Sequence, residues 1–552
     1  MKLNGAQIVI EQLCVHGVDT VFGYPGGAVL TLYDELYKNA HRINHVITAH
    51  EQGAAHAADG YARACGKTGV VIATSGPGAT NLVTGIANAY LDSIPIVAIT
   101  GNVPVPLLGR NSFQEVDFVG ITQPIVKKNY IVDNVENLAE VLNEAFTLAN
   151  SGRPGPVVVD IPKCVQAAEC EFNEQVIINK EQLPIVESHK FDLNRIVEVI
   201  RNCEKPFIYA GGGIIAADAV NELRELSERL SAPVGLSMMG LTALPGDYQA
   251  NLGMCGMHGK YAATVAQSEC DVMFALGVRF SDRATGDTNE FSQEKTIIHV
   301  DIDIAEIGKN VSSHIDICGD VKAFLEQLLE RLPTIKHEKW LTRIQELKQE
   351  ETVPDNGDFT PKNIIETVNR HCGADAVVAT DVGQHQMWVT QYYNFAKPRT
   401  LLTSGGLGAM GFGFGAAIGG CIARGKKRTV LFTGDGSFGM NLIELATAVS
   451  QELPITVVIL NNNTLGLPRQ WQGMFYGGRY SNSTLDRKTD FPLLAQSFGA
   501  KGVCAGSISE LEKILQSLPD NLPTVIDCKI DIDEKVLPMI PPGGSVKDIV
   551  RS

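Results

Sequence analysis

The stretch LFTGDGSFGMNLIELATAVSQELPITVVILNNN, residues 431–463, decides how the rest of the chain is read. It holds two strand-like apolar runs, one stopping on Gly-Asp-Gly and the next on three asparagines. Gly, Asp and Asn all tolerate unusual backbone angles, so either ending alone reads as a turn. A second reading is a dinucleotide turn. Gly406-Leu407-Gly408-Ala409-Met410-Gly411 spells G-x-G-x-x-G after a strand, and Asp435 follows the next strand at about the right interval. A third reading is a cation site, because adjacent parallel strands would set the Asp435 carboxylate beside the side-chain carbonyl of Asn462. Mg²⁺ takes hard oxygen donors, usually one or two from the protein with phosphate oxygens beside them. Gly434 and Gly436 would let phosphates approach, and a helix expected to begin near Asn441 would offer free amides.

Outward from this stretch, the chain has 552 residues, which calls for about three domains at ~100–200 residues each. It is 44% hydrophobic and 20% charged, the balance of an ordinary globular protein. A formal net charge of -16 disfavours nucleic acid and anionic membrane, and no basic stripe offsets it. The run Lys426-Lys427-Arg428 reads as a solvated turn before a strand. Twelve cysteines lie scattered without CxxC or Cys/His spacing, which suits reduced thiols and a cytoplasmic setting. The N-terminal MKLNGAQIVIEQLCVHG reads as an amphipathic helix, not a signal peptide. Residues 400–423 carry no charge, but their glycines and Thr400, Thr403 and Ser404 indicate a buried strand, a turn and a close-packed helix rather than a membrane span.

Helical stretches alternate with short β-rich runs through three segments, so the fold class is α/β, with three doubly wound parallel sheets. We expect domains at 1–165, 189–335 and 359–552, joined by linkers at 166–188 and 336–358. In such sheets ligands gather at the carboxyl ends of strands, where the polar and glycine residues of interest fall.

A GDG followed by NN resembles the thiamine diphosphate binding motif. That cofactor is activated by a poorly hydrated carboxyl bonded to its pyrimidine ring. Glu51, in ITAHEQGAAHAADGYARACG, follows a strand-like run and heads a helix. It is the candidate, although a first-turn acid also suits a helix dipole on its own.

The series YPGGA, HEQGAAHAADGYARA, TSGPGATN, FQEVD, SGRPGPVVVDIP, GMHG, RFSDRATG, GQHQMW, GGLGAMGFG, GDGSF with NN, QWQ, FYGGRYS and PMIPPGG is similar to the catalytic subunits of the acetohydroxyacid (acetolactate) synthase family. It runs in the family's order from Phe22 to Gly544. The resemblance implies pyrimidine-binding, central flavin-binding and diphosphate-binding domains of the thiamine-dependent decarboxylase/carboligase type. It makes Glu51 the activating acid, with Gly27 and Gln114 lining the reaction centre. Asp435, Asn462 and the backbone oxygen of Thr464 become the Mg²⁺ ligands. Gln384, His385, Gly408, Met410, Gly434, Gly436 and Ser437 contact thiamine diphosphate, Met410 bending the cofactor. Phe113, Lys163 and Trp471 contact substrate, Trp471 favouring 2-ketobutyrate as acceptor. Arg153, Gly211, Gly212, Gly213, Met257, His258, Gly277, Arg279, Arg283, Asp301 and Asp320 fall on flavin-contact motifs, which implies a non-redox FAD and the biosynthetic kind of enzyme.

The implied reaction decarboxylates pyruvate and joins the two-carbon unit to a second 2-ketoacid, the first common step of valine, leucine and isoleucine synthesis. The resemblance also implies a homodimer or dimer of dimers with sites between subunits, and a small regulatory subunit. Two departures stand out: Ser281 where the family has Asp, and Leu467-Pro468 where it has Met-Val. The rival readings are a sister thiamine enzyme (a pyruvate oxidase, a decarboxylase or a FAD-free catabolic synthase), a nicotinamide-dependent dehydrogenase and a non-catalytic flavin-binding protein.

Overall fold

The computed structural model describes residues 1–172, 193–351, 357–373 and 375–551. Among them stand three six-stranded sheets, every strand pair in each parallel. The first is built, in spatial order, from Asn44–Ile47, Thr20–Tyr24, Gly69–Ala73, Ile96–Asn102, Val157–Pro162 and Lys128–Ile131. The second runs Asn251–Met254, Val234–Leu236, Pro206–Ala210, Val272–Leu276, Thr296–Asp301 and Ile315–Cys318. The third runs Leu401–Leu402, Val377–Thr380, Thr429–Gly434, Ile455–Asn461, Thr524–Lys529 and Lys501–Ala505. Counted in chain order, the first and third sheets share the order 2-1-3-4-6-5, whereas the middle one is 3-2-1-4-5-6. Fully buried runs such as VVVDIP and ITVVILN form these strands because helices cover both faces.

The cores are not separate. One apolar cluster runs from the first sheet into the third, and another from the second into the third. The joint of the first kind is a pair of helices, Glu51–Cys65 and Phe412–Ala423, each buried almost all round. They touch backbone to backbone because small residues line the seam. A Cβ on Gly419 would overlap the Ala57 carbonyl oxygen, and one on Gly60 would overlap Ala416. The uncharged segment 400–423 is therefore a strand, a turn and this helix, and among the described residues no helix is long and apolar enough to cross a membrane.

Both expected linkers need correction where they are described. Residues 166–172 carry the end of the helix Lys163–Ala167 and a strand, Glu169–Glu171, that pairs antiparallel with Lys2–Asn4, and Phe172 is buried. The rest of that linker, from residue 173, lies outside the described residues. In the second, helix Glu338–Glu350 packs Trp340, Ile344 and Leu347 into the core of the middle sheet. Its charges occupy the solvent face, which is why the sequence reads as loose.

Because the helix seam has no room for a side chain, Gly419→Ala should lower stability by about 1–3 kcal/mol, the cost of overpacking a tight core. Urea unfolding checks this, and an unchanged midpoint would show that the helices can part without loss.

Candidate active site

In sheets of these orders ligands collect where strand order reverses. In the third sheet that crevice lies between Val377–Thr380 and Thr429–Gly434, with Ile455–Asn461 next to it. Asp435 heads a helix, Asp435–Asn441, that begins at once after its strand instead of near Asn441, so the first-turn amides lie at the site itself. Its carboxyl is buried, Oδ1 has no hydrogen-bond partner, and burial pushes the group up to about 6. Asn462, also buried, donates Nδ2 to Gln384 Oε1 at 3.0 Å. Thr464 is fixed by its hydroxyl on the Ser483 carbonyl at 2.6 Å, and Ser437 by its own on the Val382 carbonyl at 2.8 Å. His385 lies against Gly434, where a Cβ would sit 3.1 Å from Nδ1. Burial drives this imidazole down to about 3, so it is neutral, and its Nε2 has no partner. Met410 is carried on a turn whose Gly408 and Gly411 take φ +68° and +90°, and its Cε would be 3.9 Å from a Cβ on Gly436.

Asp381, missed in the sequence, latches that turn. Its Oδ1 accepts from Gly411 N at 2.7 Å and Val382 N at 2.9 Å, and burial raises the carboxyl to about 6. The amides of Gly405 and Gly406 donate to Asp92 at 3.0 and 2.7 Å. Those amides already face a carboxylate of the same chain, so the turn does not offer them to a pyrophosphate, and the dinucleotide reading of 406–411 falls.

The first sheet presents its own crevice. Glu51 is the first residue of its helix, and its Oε2 accepts from Asn81 Nδ2 at 2.9 Å. Its Oε1 lies 3.2 Å from where a Cβ on Gly78 would stand. The approach to Glu51 is tied down by buried Glu444, which accepts from Ala49 N at 3.2 Å and His50 N at 3.0 Å. Gly27 faces open space, and Gln114, at φ +59°, crosses Gly76 so closely that a Cβ there would be 2.7 Å from its carbonyl. Phe113 is 88% exposed and Lys163 is exposed, so neither is enclosed by this chain. Glu51 itself bonds to Asn81 and Asn462 to Gln384, and the link between the two crevices is Glu444, which follows the Asp435 helix and holds Ala49 and His50.

In the middle sheet the reversal lies between Pro206–Ala210 and Val272–Leu276, where Gly211 caps the helix Gly212–Ala216 and Gly277-Val278-Arg279 forms a loop. Gly211, Gly213 and Gly277 pack backbone on backbone, so their glycines are explained by close approach alone. Arg279 Nη2 reaches to 3.0 Å from a Cβ position on Gly406. Arg153 crosses from the first unit to Glu306 at 2.7 Å and Asp303 at 3.4 Å. Arg283 stands over the Trp471 ring at 5.6 Å and reaches Met257 Sδ at 3.8 Å, which groups three expected residues. His258 is buried and held neutral, and burial raises Asp301 to about 6. Asp320 instead caps the helix Val321–Leu329 through Ala323 N at 2.9 Å. Of the departures, Ser281 is exposed. Pro468 lies in the first turn of the helix Gly466–Phe475, where its missing N–H costs no helical bond.

Comparison with known proteins adds three family matches: the N-terminal TPP binding domain of thiamine pyrophosphate enzymes over residues 3–121, their central domain over 193–328, and their C-terminal TPP binding domain over 381–528. A probable acetolactate synthase large subunit of Methanocaldococcus jannaschii is 44% identical over 566 residues, covering 100% of this chain and 95% of its own. The acetolactate synthase isozyme 3 large subunit of Escherichia coli K12 is 43% identical, covering 99% of this chain and 98% of its own. An acetolactate synthase large subunit of Buchnera aphidicola is 42% identical at the same coverage.

The first sheet also holds a buried carboxyl that the sequence does not single out. Asp160 accepts from Thr100 Oγ1 at 2.8 Å and from Asn102, while Gln166 holds the Ala28 carbonyl at 2.8 Å. Burial raises Asp160 from 3.8 to about 7. The folded chain thus holds this proton more tightly than the unfolded chain. The resulting stability is full below about pH 4 and is lost as pH rises through about 7, on the order of a few kcal/mol. Unfolding midpoints of the wild type and Asp160→Asn between pH 4.5 and 8 should diverge in slope, and parallel curves would clear Asp160 of the effect.

Proposed function

The chain belongs to the acetolactate synthase large subunits, within the thiamine pyrophosphate enzymes, and from that premise we propose how its residues share the work. It is a thiamine diphosphate-dependent transferase. Its substrates are pyruvate and, as acceptor, a second pyruvate or 2-ketobutyrate, and its product opens branched-chain amino acid synthesis. The observation that carries the reading is the buried, unpartnered Oδ1 of Asp435, just past a strand end that pairs in register with the strand leading to Asn462. One carboxylate and one amide suit Mg²⁺ completed by phosphate oxygens, and among the described residues no three His, Cys, Asp or Glu converge to make another kind of metal site. Asp435, Asn462 and the Thr464 carbonyl would hold that ion. Gly434, Gly436, Ser437, Gln384 and His385 would line the diphosphate, with Gly408 and Met410 above it.

Bound thiamine diphosphate supplies the electron sink for the two-carbon unit left by decarboxylation. Glu51 would meet the pyrimidine ring through Oε1, since Asn81 occupies Oε2 and the missing Cβ of Gly78 leaves room. The Gly27 amide and the Gln114 side chain bind developing oxyanions. Trp471, steadied by Arg283, bounds the acceptor pocket, where one methylene is worth ~1–3 kcal/mol of preference. Phe113 and Lys163 complete the substrate face once a second subunit covers them. Glu51 and Asp435 then meet across a homodimer or dimer of dimers, with a small regulatory subunit beside it.

FAD, in a structural role, fits the middle sheet, whose 3-2-1-4-5-6 order suits dinucleotides and whose reversal carries Gly211 to Gly213, Gly277 and Arg279. Arg153, Met257, His258, Arg283, Asp301 and Asp320 would contact FAD, Asp320 from the N-cap of its helix. The units are 1–165, 189–335 and 359–552, extended as described above. The twelve free cysteines agree with a reducing, cytoplasmic setting.

With pyruvate, Mg²⁺ and thiamine diphosphate, the protein should form acetolactate, read as acetoin after acid treatment, and lose it when FAD is stripped. Glu51→Gln should cut turnover at least ~100-fold with cofactor binding intact. Acetaldehyde or acetyl phosphate as the product would move the protein to a sister enzyme.

A further inference from the structure

A side-chain amide has two ends, and only one serves a cation. If the carbonyl of Asn462 faces the metal it is a ligand, and if the NH₂ faces it the site is repulsive. Asn462 cannot choose by itself, because its two ends have nearly the same shape. The choice is made further away, along a chain of buried amides. Asn462 Nδ2 donates to Gln384 Oε1 at 3.0 Å. Gln384 Nε2 donates to Gln470 Oε1 at 3.2 Å and to the Glu534 carbonyl at 2.6 Å. Gln470 Oε1 accepts from Val536 N at 2.9 Å, and its Nε2 donates to the Val536 carbonyl at 3.1 Å.

The ends of this chain are backbone groups, which cannot exchange donor for acceptor. The N–H of Val536 can only donate, and the carbonyls of Val536 and Glu534 can only accept. Gln470 must therefore turn its oxygen toward Gln384, Gln384 must turn its nitrogen toward Gln470, and Asn462 must turn its nitrogen toward Gln384. Reversing any one of them sets two NH₂ groups or two carbonyls face to face. Gln384, Asn462 and Gln470 are 4%, 6% and 6% exposed, so water has little room to repair a reversed array. Gly466 belongs to the same device, because a Cβ there would overlap Gln384 Oε1.

We propose that Gln470 is a positioning residue that, with the backbone of residues 534–536, sets the Asn462 side chain so that its oxygen faces the cation. This rests on the reading of Asn462 as a metal ligand. It follows that seating of the 534–536 segment and metal affinity are linked, and that loss of Gln470 acts on the metal before it acts on pyruvate.

The test uses the full chain with thiamine diphosphate and Mn²⁺ in place of Mg²⁺, reading bound Mn²⁺ by electron paramagnetic resonance, with thermal unfolding as the check on folding. Gln470→Leu should weaken Mn²⁺ at least ~10-fold, the range seen when an outer support of a metal ligand is removed. In turnover, the Mg²⁺ needed for half-activation should rise by the same factor while the pyruvate KM holds. In an Asn462→Asp background, where either end of the side chain is an oxygen, Gln470→Leu should change Mn²⁺ affinity less than about twofold. Gly466→Ala, which displaces Gln384 from the other side, should repeat the loss and carries the test if Gln470→Leu does not fold. An unchanged Mn²⁺ affinity, or an equal loss in both backgrounds, would overturn the relay. A wild type with no saturable Mn²⁺ site would overturn the ligand assignment, and this proposal with it.

Discussion

The arrangement of the molecule depends on one buried cation. Arg63 is ion-paired to Asp59 on its own helix and to Asp92 at 2.9 Å, with all three side chains at most 4% exposed. A guanidinium out of water must be matched on every side, and here the match crosses between units. Arg63 also donates to the Thr403 carbonyl at 2.9 Å, Asp92 receives the amides of Gly405 and Gly406, and Asn88 binds both Asp59 and the Ser404 hydroxyl. The turn that leads to Met410 therefore hangs from the first sheet's helices by charge-assisted bonds. Without Arg63, two buried carboxylates would face each other, and the turn would lose its anchor.

The same topology is used twice for opposite purposes. In the first and third sheets a helix follows the second strand: Glu51–Cys65 in one, Phe412–Ala423 in the other. These equivalent helices pack on each other through glycine and alanine, so the two units meet through matching elements. Their crevices carry different chemistry. The first offers an acid at a helix start and an open glycine loop, whereas the third offers a carboxylate and an amide at adjoining strand ends. The middle sheet has another strand order, and its crevice is shaped by three glycines in backbone contact.

Much of this was legible in the sequence, and the reasons for the rest are physical. Alternating apolar runs announce parallel sheets, and Asp435 and Asn462 announce themselves because buried strands rarely end on such residues without cause. Strand order leaves no local trace, since pairing is decided between segments far apart. The pair Asp59 and Arg63 could have been noticed as opposite charges one turn apart on a helix rich in alanine and glycine, but nothing marked Asp92 as their third partner. The segment of helix Glu338–Glu350 reads in the sequence as solvated helix positions, but its packing on the middle sheet does not show because its three buried residues are spaced among charges. The buried amide chain at Asn462 is invisible in sequence altogether, as it joins Gln470, eight residues on, to Gln384 and to the backbone at 534–536, each more than seventy positions away.

The third sheet's crevice also shows what the protein leaves unfinished. Asp435 and Asp381 are both buried carboxyls raised by desolvation, yet they are treated differently. Asp381 is satisfied by the amides of Val382 and Gly411, so its burial is spent on holding a turn. Asp435 keeps one oxygen without a partner, and Asp527 adds negative charge nearby. The backbone amides of Asp435 and Gly436 and the charge of Arg487 offset that cost only in part, and a buried carboxylate short of partners is relieved further by a cation. Asn462, held by Gln384, would in the proposed role add a neutral oxygen, which attracts a cation without deepening the repulsion between carboxylates. Two carboxyls raised by the same cause thus end differently, one closed by backbone amides and the other keeping an oxygen open.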